Sequence, residues 1–216
     1  MALTQRYRQA SVMIGVLPVG RQNRTGPELA AFFWSLKPGD YEAVRAGGFG
    51  KWRDEVLGHW PATAPHLDAI ADFDSMTVAR YAHHTLPVPA GDGIVFIGDS
   101  AHATSPQLGQ GANMALLDAA ALGTALTGAQ TVEEAVARYV QMRRAHVRLY
   151  QMLSLTLTPF YQSDGAVLPV VRDLLVSRIG RLPLVQKLLA AMVSGQLLSP
   201  LKALGLNTAA EREGVR

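Results

Sequence analysis

Residues 94–126 constrain the fold of this chain more than any other segment. A short apolar run ends in Gly98 and Asp99, and a loop interrupted by proline and glycines follows. Beyond Gly111, apolar residues recur at helical spacing. The pattern predicts a buried strand over 94–98, a tight turn, and a helix that begins within two residues of Gly111. Because the first N–H groups of a helix have no partner within it, this helix start can bind an anionic group.

The residue types at the turn suit a flat ligand that carries hydroxyl groups. Gly98 lets the chain leave the strand with dihedral angles that other residues avoid, and Asp99 places a carboxylate at the strand's end. A carboxylate there suits a ligand hydroxyl, such as a ribose or ribityl group, better than it suits a phosphate. Pro106 fixes the backbone and donates no hydrogen bond, so it can form a rigid wall beside a planar ring.

The residues at the predicted helix start also suit a ligand that the backbone must approach closely. Gly109 and Gly111 remove side chains where the backbone must approach a ligand closely. Asn113 falls in the first helical turn, where Asn favours capping and where its amide can also reach a ligand. A helix N-terminus carries roughly +0.5 charge, which would stabilise negative charge that develops on a bound group.

Taken together, these residues resemble a known cofactor motif. The run GDSAHATSPQLGQGANMALLDAAALGTAL, residues 98–126, is similar to the second flavin-binding motif of the FAD-dependent aromatic hydroxylases. These are the para-hydroxybenzoate hydroxylase-like monooxygenases. The run departs from the family only at Ser100, where Ala is usual. An upstream antiparallel-sheet segment and a helical tail with Pro-Phe-Tyr-Gln-Ser-Asp at 159–164 resemble the ubiquinone-hydroxylase-like members.

The resemblance implies an activity and a set of cofactor-binding residues. It implies a flavoprotein monooxygenase that binds FAD, takes electrons from NAD(P)H and uses O₂ to hydroxylate a small aromatic substrate. Asp99 would hold the ribityl chain, Pro106 would lie beside the isoalloxazine, and residues 111–113 would meet its N1–C2=O edge. The cofactor-binding residues implied are Gly98, Asp99, Pro106, Gly109, Gly111, Ala112 and Asn113. The motif assigns no catalytic residue and no metal ligand.

One part of the family pattern is missing. The family opens with a G-x-G-x-x-G turn for the ADP pyrophosphate, and this sequence has no such turn. Its middle Asp-Gly motif is also absent, because Asp92 and Gly93 directly precede the predicted strand and are typical of a turn. We therefore expect residues 1–216 to be the C-terminal half of a monooxygenase. We also expect this half to be inactive alone and to need the missing N-terminal half or a second subunit.

The expected fold class is α+β with α/β character. It combines part of a glutathione-reductase-like FAD/NAD(P)-binding fold with the remainder of an antiparallel-sheet substrate domain and a helical C-terminal tail. The domains are expected at 1–90 (substrate), 91–145 (second half of the FAD-binding domain) and 146–216 (helical). Strands are predicted over 4–19, 29–36 and 77–84. Helices are predicted within 39–60 and over 66–72, 111–127 and 131–157, the last with a capping box of Thr131 and Glu134.

Two alternatives stay open beside the monooxygenase. Ser100 lies in a Gly-Asp-Ser run after a predicted strand, as the nucleophile of some serine hydrolases does. Such enzymes need a separate Asp-x-x-His to activate the serine, and the only one here, Asp99 to His102, overlaps it. The other alternative is a non-catalytic remnant that keeps the fold but binds no flavin alone.

Further side chains carry specific expectations. Trp34, Trp52 and Trp60 are expected as core anchors. Because the N-terminal third should line the substrate pocket, Phe32 or Trp34 is also a candidate substrate contact. The ring of His102 is expected to bond the loop backbone, and Asp118, charged within an apolar helix, to bond a neighbouring backbone group.

Composition excludes several functions and suggests a location. The chain has no cysteine, which rules out disulfides and thiolate chemistry and fits a cytoplasmic protein. Its net charge of +3 comes without a basic run interleaved with aromatics, so no nucleic-acid partner is expected. No apolar run is long enough to span a membrane. The basic, apolar tail beyond Pro159 is expected to pack against the missing half or a second subunit. Peripheral contact with a membrane surface is the alternative.

Overall fold

The structure, a computed structural model, describes residues 2–200 except 9, 92, 164, 166, 181 and 199, together with residue 204. The chain divides into two compact units. Unit 1 comprises Met1–Arg80 and Pro159–Val171, and unit 2 comprises Tyr81–Thr158 and the chain from Arg172 onward. Helices combined with small antiparallel sheets make the fold α+β, as the sequence predicts.

Unit 1 is built on a three-stranded antiparallel sheet. Its strands, in spatial order, are β1 (Thr4–Arg8), β2 (Val12–Arg21) and β3 (Glu28–Trp34). Along β2, β-branched residues alternate with others, and Ile14 lies opposite Arg6 on β1 and Trp34 on β3. The segment predicted as one strand, 4–19, is therefore two strands with a turn near Ser11. β2 and β3 pair antiparallel and are joined by a short hairpin loop.

Three helices cover one face of this sheet. They are α1 (Tyr41–Gly47), α2 (Phe49–His59) and α3 (Ala64–Leu67). Trp52 of α2, only 2% exposed, lies at the centre of a core that includes Ile14, Val56 and Leu67. Its ring contacts four other aromatic rings, from Phe32, Trp34, Phe49 and Phe73. Burial of these large apolar surfaces, at about 25 cal/mol per Å², stabilises unit 1 without needing directional bonds.

The rest of the described chain is mainly helical. The elements are β4 (Ala90–Gly91), β5 (Ile94–Val95), α4 (Asp99–His102), α5 (Gly111–Gly128), α6 (Val132–Tyr161), α7 (Val167–Ile179) and α8 (Pro183–Val193). Within unit 2, α5 and α6 pack through small residues, because Ala121, Ala125 and Ala135 are all fully buried. Alanine at these positions lets the two backbones approach closely. The apolar residues after Gly111 thus lie in α5, which packs against α6. α5 begins at Gly111, within the predicted limits.

The strand that was predicted over 94–98 is shorter and more exposed than expected. β5 spans only Ile94 and Val95, pairs antiparallel with β4, and leaves the Ile94 side chain 57% exposed. The prediction of a buried strand was wrong because apolar composition does not reveal how many neighbouring strands are present. Among the described residues, β4 is the only strand beside β5. The backbone then turns at Gly98 into α4.

Other sequence predictions have mixed outcomes. The strand predicted over 77–84 does not form, because His84 N–H and Leu86 N–H instead bond the carbonyls of Ala103 and Ala101. The capping box predicted at the start of α6 forms in part. Glu134 N–H donates to Thr131 Oγ1, as expected. The Glu134 carboxylate, however, accepts from the N–H of Gln130 instead of that of Thr131. α6 also continues through Pro159, which removes one helical hydrogen bond near the end of the helix without terminating it.

No helix in the described part of the chain is long and apolar enough to cross a membrane. The sequence-based domain limits after residues 90 and 145 stay a prediction, whereas the compact units change at residues 80, 158 and 171. The end of the third predicted domain, 201–203 and 205–216, lies outside the described residues.

Candidate functional site

Gly98 forms the turn from which the site is built. Its φ of 58° lies in the left-handed region, and a Cβ at this position would approach Ala115 Cβ of α5 to 3.1 Å. The Gly98 carbonyl accepts hydrogen bonds from the N–H groups of Ala101 and His102, both at 2.9 Å. A glycine is therefore needed here both for the backbone conformation and for the close packing of the turn against α5.

A buried carboxylate, Asp118 of α5, fixes this turn. Its Oδ2 accepts from Gly98 N–H at 2.8 Å and from His102 Nε2 at 2.6 Å, and its Oδ1 accepts from Arg143 Nε at 2.6 Å. The Asp118 side chain is fully buried. Burial alone would raise the pKa of Asp118, but hydrogen bonds from His102, Arg143 and Gly98 outweigh it and hold that pKa below its usual value. The ionised carboxylate thus joins the turn, α4 and α6.

This geometry refines two expectations from the sequence. Asp118 bonds a neighbouring backbone group, as predicted, but it also accepts from two side chains. His102 has a structural position, yet its ring bonds the Asp118 carboxylate and not the loop backbone. The sequence pattern missed this pair because the two residues are 16 positions apart and meet only when α4 packs against α5.

The network continues along α6. Arg143 NH1 approaches His146 Nδ1 at 3.1 Å, and His146 Nε2 approaches the Gly195 carbonyl at 3.1 Å. Because arginine can only donate, Nδ1 accepts and Nε2–H donates, which is the neutral tautomer of His146. Burial, the largest cause, lowers the pKa of His146 and favours this neutral form, although the Gly195 carbonyl opposes the shift.

The N-terminus of α5 has no side-chain cap. Its N-cap residue, Gln110, makes no capping hydrogen bond, and Gln110 Oε1 instead accepts from Asn113 Nδ2 at 2.7 Å. The Asp99 carboxylate lies close to this helix start, because Oδ1 is 3.9 Å from where a Cβ on Gly111 would be. No described residue donates a hydrogen bond to that carboxylate. A free acceptor thus stands beside the backbone N–H groups of the first turn of α5.

The loop before α5 keeps further polar atoms without partners. Pro106 begins a short 3₁₀ turn, 106–108, and Gly109 ends it in the left-handed conformation with φ at 62°. On either side of Pro106, Ser105 Oγ and Gln107 Nε2 are buried and find no hydrogen-bond partner in the described part of the chain. Buried polar atoms are normally paired in native proteins, so this loop has the character of a ligand-binding surface.

All seven sequence-predicted cofactor residues therefore lie in one continuous stretch around α4 and the start of α5. Phe32 and Trp34 belong to unit 1, where both are partly buried and pack on Trp52. Their neighbour Phe33 lies over Gly15, where any Cβ would overlap the Phe33 ring. Since alternate residues of a strand face opposite sides, Phe33 lies on the sheet face away from Trp52. Phe32 and Trp34 remain candidate substrate contacts by prediction only.

Ser100, the nucleophile of the hydrolase alternative, lies at the surface. Its hydroxyl donates to the Ile97 carbonyl at 2.7 Å. The imidazole that the alternative requires is engaged elsewhere, because His102 Nε2 bonds Asp118. In the part of the chain that the structure describes, no histidine bonds the Ser100 hydroxyl, so the arrangement that activates a serine is not formed.

Comparisons with known proteins agree with this geometry. Residues 51–153 match the family model described as an FAD binding domain. An FAD-dependent monooxygenase, SAT7, of Stachybotrys chartarum is 32% identical over 117 residues, covering 54% of this chain and 23% of that protein. The 6-methylpretetramide 4-monooxygenase of Streptomyces rimosus is 24% identical over 174 residues, covering 78% of this chain and 42% of that protein.

A solved structure shares the fold. A variant of HpxO from Klebsiella pneumoniae, crystallised with FAD, superposes with a TM-score of 0.69 at 18% identity, covering 92% of this chain and 50% of that one. Residues 51–153 are thus similar to an FAD binding domain, and the chain is similar to FAD-dependent monooxygenases. It spans less than half the length of the curated relatives named above, and half the length of this structural neighbour.

Proposed function

We propose that this chain is part of an FAD-dependent monooxygenase that hydroxylates an aromatic ring with NAD(P)H and O₂. The observation that carries the proposal is the free Asp99 carboxylate beside the uncapped N-terminus of α5. When bound, FAD would supply the activation of O₂. The chain's own residues bind and orient the cofactor, and they provide the electrostatic environment in which it reacts.

The residues present fit a flavin. Asp99 would accept from a ribityl hydroxyl, because its carboxylate is exposed and has no other partner among the described residues. The backbone at 111–113 would meet the pyrimidine edge of the isoalloxazine, where the N–H groups and the helix dipole stabilise negative charge. Pro106 and the side-chain-free Gly109 would leave room for the ring system. Ser105 Oγ and Gln107 Nε2, buried and unpaired in the same loop, are further donors for this ligand.

The pyrophosphate of FAD requires more than these residues supply. The 216 residues contain no G-x-G-x-x-G turn, the usual means of binding a dinucleotide pyrophosphate. We propose that an additional element carrying such a turn completes a glutathione-reductase-like FAD-binding domain, either in the same polypeptide or as a second subunit. On this view the 216 residues alone are inactive.

The apolar surface of the C-terminal helices supports a partner. On α8, Leu184 and Leu188 are 80% and 57% exposed, and on α7, Val170 and Leu174 are more than half exposed. Large exposed apolar faces mark interaction sites. We propose that protein covers them, either the element that completes the flavin site or a second subunit. Peripheral contact with a membrane surface is the alternative, since Lys187 accompanies the leucines on α8. The cytoplasm remains the proposed location.

Titration with two flavins tests this proposal. Riboflavin has the isoalloxazine and ribityl groups of FAD but no pyrophosphate. If these residues hold only the flavin end, both ligands should bind weakly and with affinities within about threefold of each other, because the pyrophosphate adds no contact. Flavin fluorescence measures both affinities. Tight, stoichiometric binding of FAD would contradict the missing phosphate site, and no binding of either flavin would contradict the flavin site itself.

A further inference from the structure

A second segment of unit 2 reaches the proposed flavin site. This C-terminal segment, 192–197, comprises the last two residues of α8 and the four that follow, and it is bonded by side chains from the N-cap of α5 and from α6. Gln110 Nε2 donates to the Val193 carbonyl, and His146 Nε2 donates to the Gly195 carbonyl. Tyr150 OH donates to the Met192 carbonyl at 2.9 Å and accepts from Leu197 N–H at 3.4 Å. The segment is therefore anchored along its whole length.

The anchoring determines how two site residues are oriented. Since the Val193 carbonyl can only accept, it fixes Nε2 of Gln110 on its own side, and Oε1 then faces Asn113 Nδ2. This leaves Asn113 with Oδ1 and one Nδ2 hydrogen that have no partner among the described residues. An acceptor next to a donor matches the pyrimidine edge of an isoalloxazine, where N3–H alternates with the C2 and C4 carbonyls.

A substitution at Gly195 would disturb this arrangement of the two amides most. Its φ is +74°, and a Cβ would lie 2.5 Å from Gln110 Oε1 and closer still to Asn113 Nδ2. Real Cβ atoms do not approach other atoms so closely, so any side chain at residue 195 must displace both amides. Neither amide can move freely, because each is held by the hydrogen bonds just described.

We propose that the segment 192–197 forms a wall of the flavin site and that Gly195 is a positioning residue for the flavin. It acts through Gln110 and Asn113, whose amides it allows to occupy the N-terminus of α5. The inference rests on the proposed flavin site. It adds to that site a segment about 80 residues further along the chain, which the flavin motif does not include.

The test compares two glycines with the same backbone strain. Gly93 has a φ of +71° and open space around its missing Cβ, so Gly93→Ala has nearly the strain of Gly195→Ala without the collision. Riboflavin is the probe, measured by fluorescence titration and by the visible absorption spectrum of the bound flavin. Gly93→Ala should bind riboflavin within about twofold of the unmodified protein. Gly195→Ala should bind at least about tenfold more weakly, with a changed spectrum, because it displaces the ligand's hydrogen-bond partners.

A second variant keeps the test decisive if Gly195→Ala does not fold. Tyr150→Phe keeps the buried ring but removes the hydroxyl that holds Met192 and Leu197, and it should weaken riboflavin binding by about threefold. If Gly195→Ala folds and binds riboflavin with unchanged affinity and spectrum, the segment has no role in the site, although the flavin site itself stands. If Gly195→Ala does not fold, the same result in Tyr150→Phe leads to the same conclusion. If the unmodified protein binds no riboflavin, the proposed function fails, and this inference fails with it.

Discussion

The two compact units are stabilised by different kinds of interaction. In unit 1, Trp52 is buried among aromatic and aliphatic side chains, and its indole Nε1 has no hydrogen-bond partner in the described residues. In unit 2, the fully buried Asp118 accepts hydrogen bonds from three donors that belong to three different elements. Apolar burial is non-directional, whereas a charged network requires each atom to be in place.

The difference is consistent with the position of the proposed cofactor residues in unit 2. A flavin site needs the turn at Gly98, the Asp99 carboxylate and the start of α5 to keep fixed relative positions. The bonds of Asp118 supply this, because they join the turn directly to α5 and α6. The core of unit 1 can adjust to changes in side-chain volume, but that kind of packing would not define the position of a single backbone N–H group.

The largest expected effect comes from removing the buried carboxylate. Asp118→Ala should lower the free energy of unfolding by about 3–5 kcal/mol, because it leaves Arg143 buried without a counter-charge. Chemical denaturation measures the loss. Asp74→Ala is the matched control, since its ion pair with Arg45 is exposed and solvent-screened and should contribute little to the free energy of unfolding. Similar losses in both variants would contradict a structural role for the network.

The next effect concerns the ligand and not the fold. Asp99→Ala should weaken flavin binding by about 1.5–3 kcal/mol, the range for a hydrogen bond to a charged group, while leaving the unfolding free energy nearly unchanged. Titration with riboflavin, together with thermal unfolding, separates the two quantities. An Asp99→Ala protein with full affinity would remove the residue from the site.

A change in the core of unit 1 should show the reverse behaviour. Trp52→Phe removes buried volume but no hydrogen bond, so the free energy of unfolding should fall by about 1–3 kcal/mol. The affinity for riboflavin should stay the same. Denaturation and flavin titration of one preparation measure both. A flavin affinity that falls along with stability would mean that the two units do not differ as described.

Acidification should have a smaller effect on the free energy of unfolding. The pKa of His146 is lowered in the folded protein, so between pH 7 and 5.5 the unfolded chain takes up its proton first. The stability contributed by neutral His146 is therefore fully present above about pH 6.5, the ordinary value, and is lost as pH falls towards the folded pKa. The unfolding free energy should fall less steeply in His146→Gln. If the unfolding free energy falls equally steeply with pH in both proteins, His146 is not held in its neutral tautomer.

The smallest effect is expected at Ser100. Ser100→Ala removes only a surface hydroxyl that bonds the Ile97 carbonyl, so flavin binding should stay within about twofold of the unmodified protein. The hydrolase alternative requires the opposite, because it makes this hydroxyl the nucleophile. An esterase assay on both proteins distinguishes the two: an activity that disappears with the hydroxyl would favour the alternative.

Local signals in the sequence were sufficient for the start of α5 and the turn before it. The glycines permit conformations that other residues avoid, and Pro106 fixes its own backbone, so these elements can be predicted without knowing what surrounds them. β5 could not be predicted correctly, because its exposure depends on which strands lie beside it. That information is absent from a single apolar run.

The polar network was largely beyond sequence reasoning. Arg143 and His146 lie three residues apart, on one face of α6. This spacing alone only weakly indicates that the two side chains are buried, because α6 has a mixed composition. Their partners, Asp118 and Gly195, are 25 and 49 residues away. Such contacts follow from how α5 and α6 pack, and neither residue type nor spacing reveals that packing.

A crystal structure of the protein with bound flavin would test the central claim most directly. We predict that the Asp99 carboxylate lies within hydrogen-bond distance of a ribityl hydroxyl and that the pyrimidine edge of the isoalloxazine meets the first turn of α5. The bonds of Asp118 to Gly98, His102 and Arg143 should be unchanged. A flavin bound elsewhere, with Asp99 and the start of α5 making no contact to it, would contradict the account.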